Sequence, residues 1–329
     1  LLGAVGDCGA LRKRFLFGFA ALGIAMTAAL YFVGQGEWPL AATFFALGII
    51  GFSGANVFYD SLLFQVAESH ELDRVSALGY ALGYLGGGLL FLVNVAMVLQ
   101  PEWFGLPDAA TATRVAFLTV AIWWAVFSIP LALFVREPAP ASGHTGRSAW
   151  LDGWRQLRRT LAHIGALRPV VLFLVAYFLY MDGVDTLVRM ALDYGLSIGL
   201  QQQDLIKALL LTQFIGFPAA LAFGRLAEYM GARTGIFIAI GVYLLACGGG
   251  YFINSALDFY LLAGTVGLVQ GGIQALSRSF YARLIPRTYA AEFFGFYNML
   301  GKFAAVIGPA LMGVTAVLTG DPRKSIFAV

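Results

Sequence analysis

GANVFYDSLLFQVAESHELDRVSALGYALGY, residues 54–84, lies without a gap on GIQALSRSFYARLIPRTYAAEFFGFYNMLGK, residues 272–302, when the chain is slid by 218 positions. Identities are few, but polar positions coincide: Asn56 falls on Gln274, Tyr59 on Ser277, Asp60 on Arg278, Arg74 on Glu292 and Gly83 on Gly301. Both charged positions change sign between the copies. Self-similarity at a fixed offset marks a repeated structural unit, and a second echo supports it. GAVGDCGALRKR (3–14) is similar to GRLAEYMGARTG (224–235), each with Gly-x-x-x-acid, then Gly, then a base, at an offset of 221 to 222. The chain therefore divides into two parallel halves.

The material of those halves is apolar. Of 329 residues, 60% are hydrophobic and 12% charged, against about 25% charged in an ordinary soluble domain. Apolar runs of the roughly 20 residues that cross a bilayer recur almost from end to end. The fold class expected is an all-α polytopic membrane protein with nine full spans, at 14–34, 39–64, 75–99, 113–136, 169–195, 205–228, 233–253, 257–282 and 292–318. A soluble fold would need a core larger than one domain encloses. The opening LLGAVGD reads as the tail of an earlier span and the closing SIFAV as the start of another, so a fragment cut at both ends is expected.

Charge placement orients the spans. With LRKR (11–14) on the cytoplasmic side, fifteen Lys and Arg fall inside, from Arg12, Lys13 and Arg14 through Arg74, Arg136, Arg147, Arg155, Arg158, Arg159, Arg168, Arg225, Arg233, Arg278, Arg283 and Arg287. Four, Arg114, Lys207, Arg323 and Lys324, fall outside, and Arg189 and Lys302 lie within spans. Cytoplasmic loops carry that excess. The single long polar stretch, 137–168, is expected to be a cytoplasmic linker between an N-terminal half (1–136) and a C-terminal half (169–329). Its second part spaces Trp150, Trp154, Leu157 and Leu161 as an amphipathic helix on the inner leaflet would, with Arg155, Arg158 and Arg159 mostly on other faces.

Chemistry of the enzymatic kind is not expected. Cys8 and Cys247 are too few for a disulfide framework, and His70, His144 and His163 are too scattered for metal ligation. The glycines of GYLGGG (83–88) precede no Lys-Ser/Thr and sit within a span, where small residues allow close helix packing; CGGG (247–250) is alike. No catalytic residue, metal, cofactor or nucleic-acid partner is predicted.

The Gly-x-x-x-Asp-x-Gly…Arg-Lys-Arg loop and its copy resemble the signature loops of the major facilitator superfamily, whose halves are parallel repeats. RVSALGYALGYLGGG (74–88), YFLYMDG (177–183) and GLVQGGIQALSRS…EFFGFYNMLGKFAAVIGP (267–309) resemble one branch, the autophagy-related vacuolar amino-acid effluxer family and its bacterial relatives. The resemblance covers essentially the whole chain. It implies a twelve-span fold, with the first span, most of the second and most of the last missing. It also implies solute export, with amino acids suggested by the vacuolar members. The first loop, Asp7-Cys8-Gly9, is one residue shorter than Glu228-Tyr229-Met230-Gly231, but each keeps the acid expected to gate.

Charges buried in apolar sequence mark the candidate site. On a helix Phe178, Asp182, Asp185, Thr186, Arg189 and Asp193 share a stripe about 100° wide. An ionised group at the bilayer centre costs from about 2.5 to more than 10 kcal/mol, so this face meets protein or water. Asp182 lies roughly 20 Å along its helix from Pro169, just beyond mid-membrane, and Gly183 beside it permits a looser backbone. Lys302, about ten residues into its own span, needs a partner acid, and Asp182 and Asp185 are the deep acids in the same half. Two roles stay open: direct contact with solute or a coupling proton, or structural pairing of Asp185 with Arg189 and of Lys302 with an acid. Asn56 and Tyr59, with Gln270 and Gln274 on the repeated helix, complete the expected substrate or proton-binding residues. Asp7, Glu228, Asp60, Arg74, Arg278 and Glu292 are the expected inner gate, with Asp60 pairing Arg74 and Arg278 pairing Glu228 or Glu292.

The function expected is secondary active or facilitative transport of a small polar solute by alternating access, amino-acid efflux before others, with protons as a possible second partner. The alternative is a non-transporting membrane sensor or scaffold on a transporter fold. A monomer in a bacterial inner membrane is the expected setting.

Overall fold

A computed structural model describes residues 1–9, 11–137, 147–162 and 167–328. Parts of the expected linker, 138–146 and 163–166, lie outside the described residues. Among the described residues twelve α-helices follow in order: α1 (Leu2–Gly9), α2 (Arg12–Ala29), α3 (Trp38–Ser61), α4 (Leu63–Val66), α5 (Leu72–Leu99), α6 (Ala109–Phe134), α7 (Arg147–Ala162), α8 (Arg168–Ser197), α9 (Gln202–Met230), α10 (Ala232–Gly250), α11 (Ala256–Leu284) and α12 (Ala290–Thr319). Among the described residues no strand occurs. Nine of these segments are long and apolar enough to cross a bilayer: α2 (with its 3-10 extension to Phe32), α3, α5, α6, and α8 through α12, the last counted from Arg287. The helices agree with the expected spans to within a few residues at each end.

Local chemistry sets where these helices start and stop. Asp108 caps α6 by accepting the Thr111 N–H at 2.7 Å, a bond that holds its carboxyl below the usual range. Ser255 and Asp258 form a reciprocal capping box at the start of α11, which satisfies donors that have no partner within the helix. Gly231, at φ +80°, turns the chain between α9 and α10 in a conformation costly for other residues.

Two compact units arise from packing. One gathers Leu1–Val66, Leu89–Ile164 and Pro286–Asn298; the other gathers Ala67–Gly88, Gly165–Ile285 and Met299–Val329. This grouping cuts α5 at Gly88 and α12 at Asn298. The reason is local. In the first unit Gly3 of α1 lies so close to α12 that a Cβ there would collide with the Ala291 carbonyl. In the second, the Tyr84 ring of α5 packs on α9 and α11, where a Cβ at Gly216 or Gly271 would come within 2.9 or 3.0 Å of it. Small residues let backbones approach. Leu16, Phe58, Leu62 and Ala291 form a buried cluster in the first unit, and Tyr194, Leu205, Phe259, Met312 and Ile326 belong to one in the second.

Candidate functional site

At the helix ends that carry the LRKR loop, which we term the inner ends, the first loop copy is built into the core. Asp7 is 1% exposed and accepts the Ala291 and Glu292 backbone N–H groups at 3.1 and 2.9 Å. Those N–H groups open α12, where no helical acceptor exists for them and a negative charge is favoured. Arg12 neutralises the same carboxylate at 2.7 Å. The following residues tie α2 to α6 reciprocally. Glu137 accepts the Arg12 and Lys13 N–H groups at 2.7 and 3.1 Å, while Lys13 Nζ donates to the Ala132 and Val135 carbonyls at 2.9 and 2.6 Å. Basic residues that set the topology therefore also cap helices. Glu292 is buried beside Thr160 and Gln156 of α7, and neither of its carboxylate oxygens has a hydrogen-bond partner among the described residues.

The second loop copy departs from this plan. Gly224 does approach α5 as Gly3 approaches α12, with its missing Cβ facing Ala77 Cβ at 2.5 Å and the Asp73–Arg74 backbone at 3.8 Å. Glu228 and Arg233, however, are exposed. The acid that works here is Asp73, in the first turn of α5. Arg283 of α11 grips it with two parallel bonds, 2.9 and 2.7 Å, and the Ser279 hydroxyl donates to it. Such a fork fixes geometry as well as charge.

Above these loops, the repeat yields matched contacts. In the first unit Asn298 donates to the buried Asp60 carboxylate at 2.9 Å. In the second, the Arg278 guanidinium lies over the Tyr80 ring, 4.6 Å from its centroid, and donates to Ser76 Oγ and Ser76 O at 3.0 and 3.1 Å. Asp60 and Arg278 are 218 residues apart, and so are Tyr80 and Asn298. Equivalent helices thus grip equivalent positions with opposite charge. Asp60 accepts from Asn298 and Arg278 donates to α5, while Arg74 and Glu228 are exposed.

The deep charges of α8 come together with α12. Asp182 accepts the Gly308 N–H at 2.7 Å, and Pro309 follows with no N–H at all. A Cβ at Gly308 would collide with Thr186 Oγ1 and lie 3.0 Å from the Asp182 carboxylate. The glycine that matters at this crossing is Gly308; Gly183 lies in an uninterrupted α8. Asp185 feels the charges of Arg189, Lys302 and Asp182. Arg189 and Lys302 are exposed and the two acids half-buried, so Lys302 is not the buried cation expected.

The remaining expected residues spread out. Gln274 accepts from the Tyr84 hydroxyl at 3.0 Å. Gln270 is 9% exposed, its Oε1 has no hydrogen-bond partner, and it lines a cavity of about 40 Å³ with Leu187, Ala191, Thr212, Phe259 and Val266. Asn56 is half-buried and Tyr59 42% exposed on α3. Sequence reasoning passed over Asp73, Ser76, Tyr80, Arg283 and Asn298. For Tyr80 and Asn298 the available signal was the repeat itself, applied to neutral positions.

Comparison with known proteins agrees with this architecture. The family described as "Vacuole effluxer Atg22 like" matches residues 1–329. The uncharacterised major-facilitator-type transporter YxiO of Bacillus subtilis (strain 168) is 38% identical over 330 residues, covering 100% of this chain and 77% of YxiO. Autophagy-related protein 22-1 of Penicillium rubens is 26% identical over 277 residues, 77% of this chain and 46% of that protein. Among solved structures, the human organic anion transporter MFSD10 superposes with TM-score 0.68 at 17% identity, over 99% of this chain and 76% of its own. The proton:xylose symporter XylE gives 0.66 at 13%, over 99% and 81%. Its relatives are transporters and not enzymes, and the chain belongs to the vacuole effluxer Atg22-like family of major facilitator superfamily membrane transporters.

Proposed function

We propose that the protein moves a small polar solute, an amino acid before other classes, by alternating access, and that Asp182, Asp185, Arg189 and Lys302 form its solute or proton site. The observation that carries this reading is the meeting of two acids and two cations within membrane spans, where scaffolding alone gains nothing from the cost of charge. Mixed charge of this kind suits a zwitterion, the acids facing an ammonium group and the cations a carboxylate. The family description, a vacuole effluxer, adds efflux and a vacuolar setting for the protein it names. The inner ends are proposed to face the cytoplasm, following the distribution of basic residues.

Helix α12 supplies the coupling in this scheme. Its Gly308 N–H is held by Asp182, and its inner end is held at Asn298 by Asp60 and at residues 291–292 by Asp7. Ten residues, about 15 Å of helix, separate Gly308 from Asn298. Solute or a proton that takes over the Asp182 carboxylate releases the Gly308 N–H and frees α12 to bend at Gly308–Pro309, since kinks arise at proline and where a side chain enters the hydrogen-bond ladder. Counterflow of radiolabelled amino acids in proteoliposomes holding the full-length protein tests the proposal. Saturable exchange above protein-free vesicles is expected; no exchange with any amino acid would exclude amino acids as the solute.

A further inference from the structure

We infer that the outward face of α7 is a docking surface for anionic phospholipid headgroups, and that this docking clamps the first turn of α12. Helix α7 has two faces of different character. Gly153, Gln156, Leu157 and Thr160 turn inward. A Cβ at Gly153 would meet Val5 of α1 at 2.7 Å, and Gln156 and Thr160 lie beside the buried Glu292 carboxylate, whose oxygens have no hydrogen-bond partner among the described residues. On the opposite side Trp150, Leu151 and Trp154 are 47%, 55% and 57% exposed, and Arg155, Arg158 and Arg159 are exposed beside them.

The order of residues around the helix specifies the occupant. At 100° per residue Trp150 and Trp154 fill one flank of the exposed half, and Arg158, Leu151, Arg155 and Arg159 continue it in that order. Half-buried Leu157 belongs to the inward face, so the apolar flank is aromatic. Indole rings settle at the headgroup level of a bilayer, and arginine forks match phosphate oxygens. Arg155 also reaches Asp152 at 3.3 Å, an exposed i,i+3 pair of little energetic weight that headgroup phosphate can displace. A soluble acidic partner would use the arginines and leave the tryptophans in water. The bilayer uses both.

The consequence lies on the other face. Glu292 sits in the first turn of α12, beside the N–H groups that Asp7 holds. A headgroup layer that fixes α7 therefore fixes Gln156 and Thr160 against Glu292. This second consequence rests on α12 being the gate helix; the docking itself does not.

A nitroxide at Leu151→Cys, in full-length protein with Cys8→Ser and Cys247→Ser, tests the docking in nanodiscs of phosphatidylcholine alone and with phosphatidylglycerol added. Phosphatidylglycerol is expected to raise the label's contact with oxygen and lower its contact with an aqueous nickel chelate. Replacing Arg155, Arg158 and Arg159 by Gln is expected to raise the phosphatidylglycerol fraction needed, by up to about fivefold per arginine. A label equally wet in both discs, or one that responds to inorganic phosphate alone, overturns the docking. Hydrogen exchange over residues 290–298 reads the clamp: phosphatidylglycerol slows it in the parent protein and not in Gln156→Leu/Thr160→Val, in which the label still responds. Exchange indifferent to lipid in the parent overturns the clamp while leaving transport itself to be judged by counterflow.

Discussion

Gly308 shows how much one missing atom decides. Its N–H serves Asp182, and the space its Cβ would need belongs to Thr186. Gly308→Ala forces α8 and α12 apart and strains the carboxylate bond, a change of the overpacking kind that costs about 1–3 kcal/mol. A fall in the thermal midpoint of the purified variant, with weakened flux, is expected; unchanged stability would show that the helices do not meet this closely. Asp182 was legible in the sequence because ionisable groups in a long apolar run must face something polar. Its partner was not, because a backbone N–H leaves no mark in the sequence beyond a Gly-Pro dipeptide. The opposite holds for Lys302, whose expected burial rested on depth along the helix, while the structure exposes it beside the acids.

Helices meet at the inner ends through glycine. Gly3 brings α1 onto the start of α12, and Gly224 brings α9 onto the start of α5. A valine at either position holds the pair open. Faster modification of a cysteine placed deep in the pathway, by a reagent supplied from the inner side, is expected for Gly3→Val and Gly224→Val. Rates equal to the parent's would mean that these contacts do not gate. The spans themselves were plain from apolar length, since only helices and closed barrels satisfy their backbone in lipid. The repeat was plain too, and it put Asp60 with Arg278. What it could not give was the neutral groups that contact them, Asn298 for Asp60 and Tyr80 and Ser76 for Arg278, since hydropathy marks none of these. Divergence added a second obstacle. Glu228 looks like Asp7 in sequence yet is exposed, and Asp73 with Arg283 does the corresponding work.

For the whole molecule, the orientation and the transport cycle are both open to direct test. A cysteine at Ser142 should resist impermeant reagents outside intact cells and react once the membrane is opened; ready labelling from outside would invert the topology. In the proposed transport cycle Asp182 is the central residue. Asparagine keeps an oxygen that can accept the Gly308 N–H, so Asp182→Asn preserves the α8–α12 contact while removing the charge and the titratable proton. A purely structural acid would leave flux intact in that variant, or, if its charge balances Arg189 or Lys302, would cost stability through an unpaired cation. The measurement is flux as a function of pH in proteoliposomes, taken beside thermal stability, for the parent and Asp182→Asn. The account predicts a folded, inserted variant of near-parent stability whose flux is abolished or no longer depends on pH; normal flux with the parent's pH dependence would contradict it.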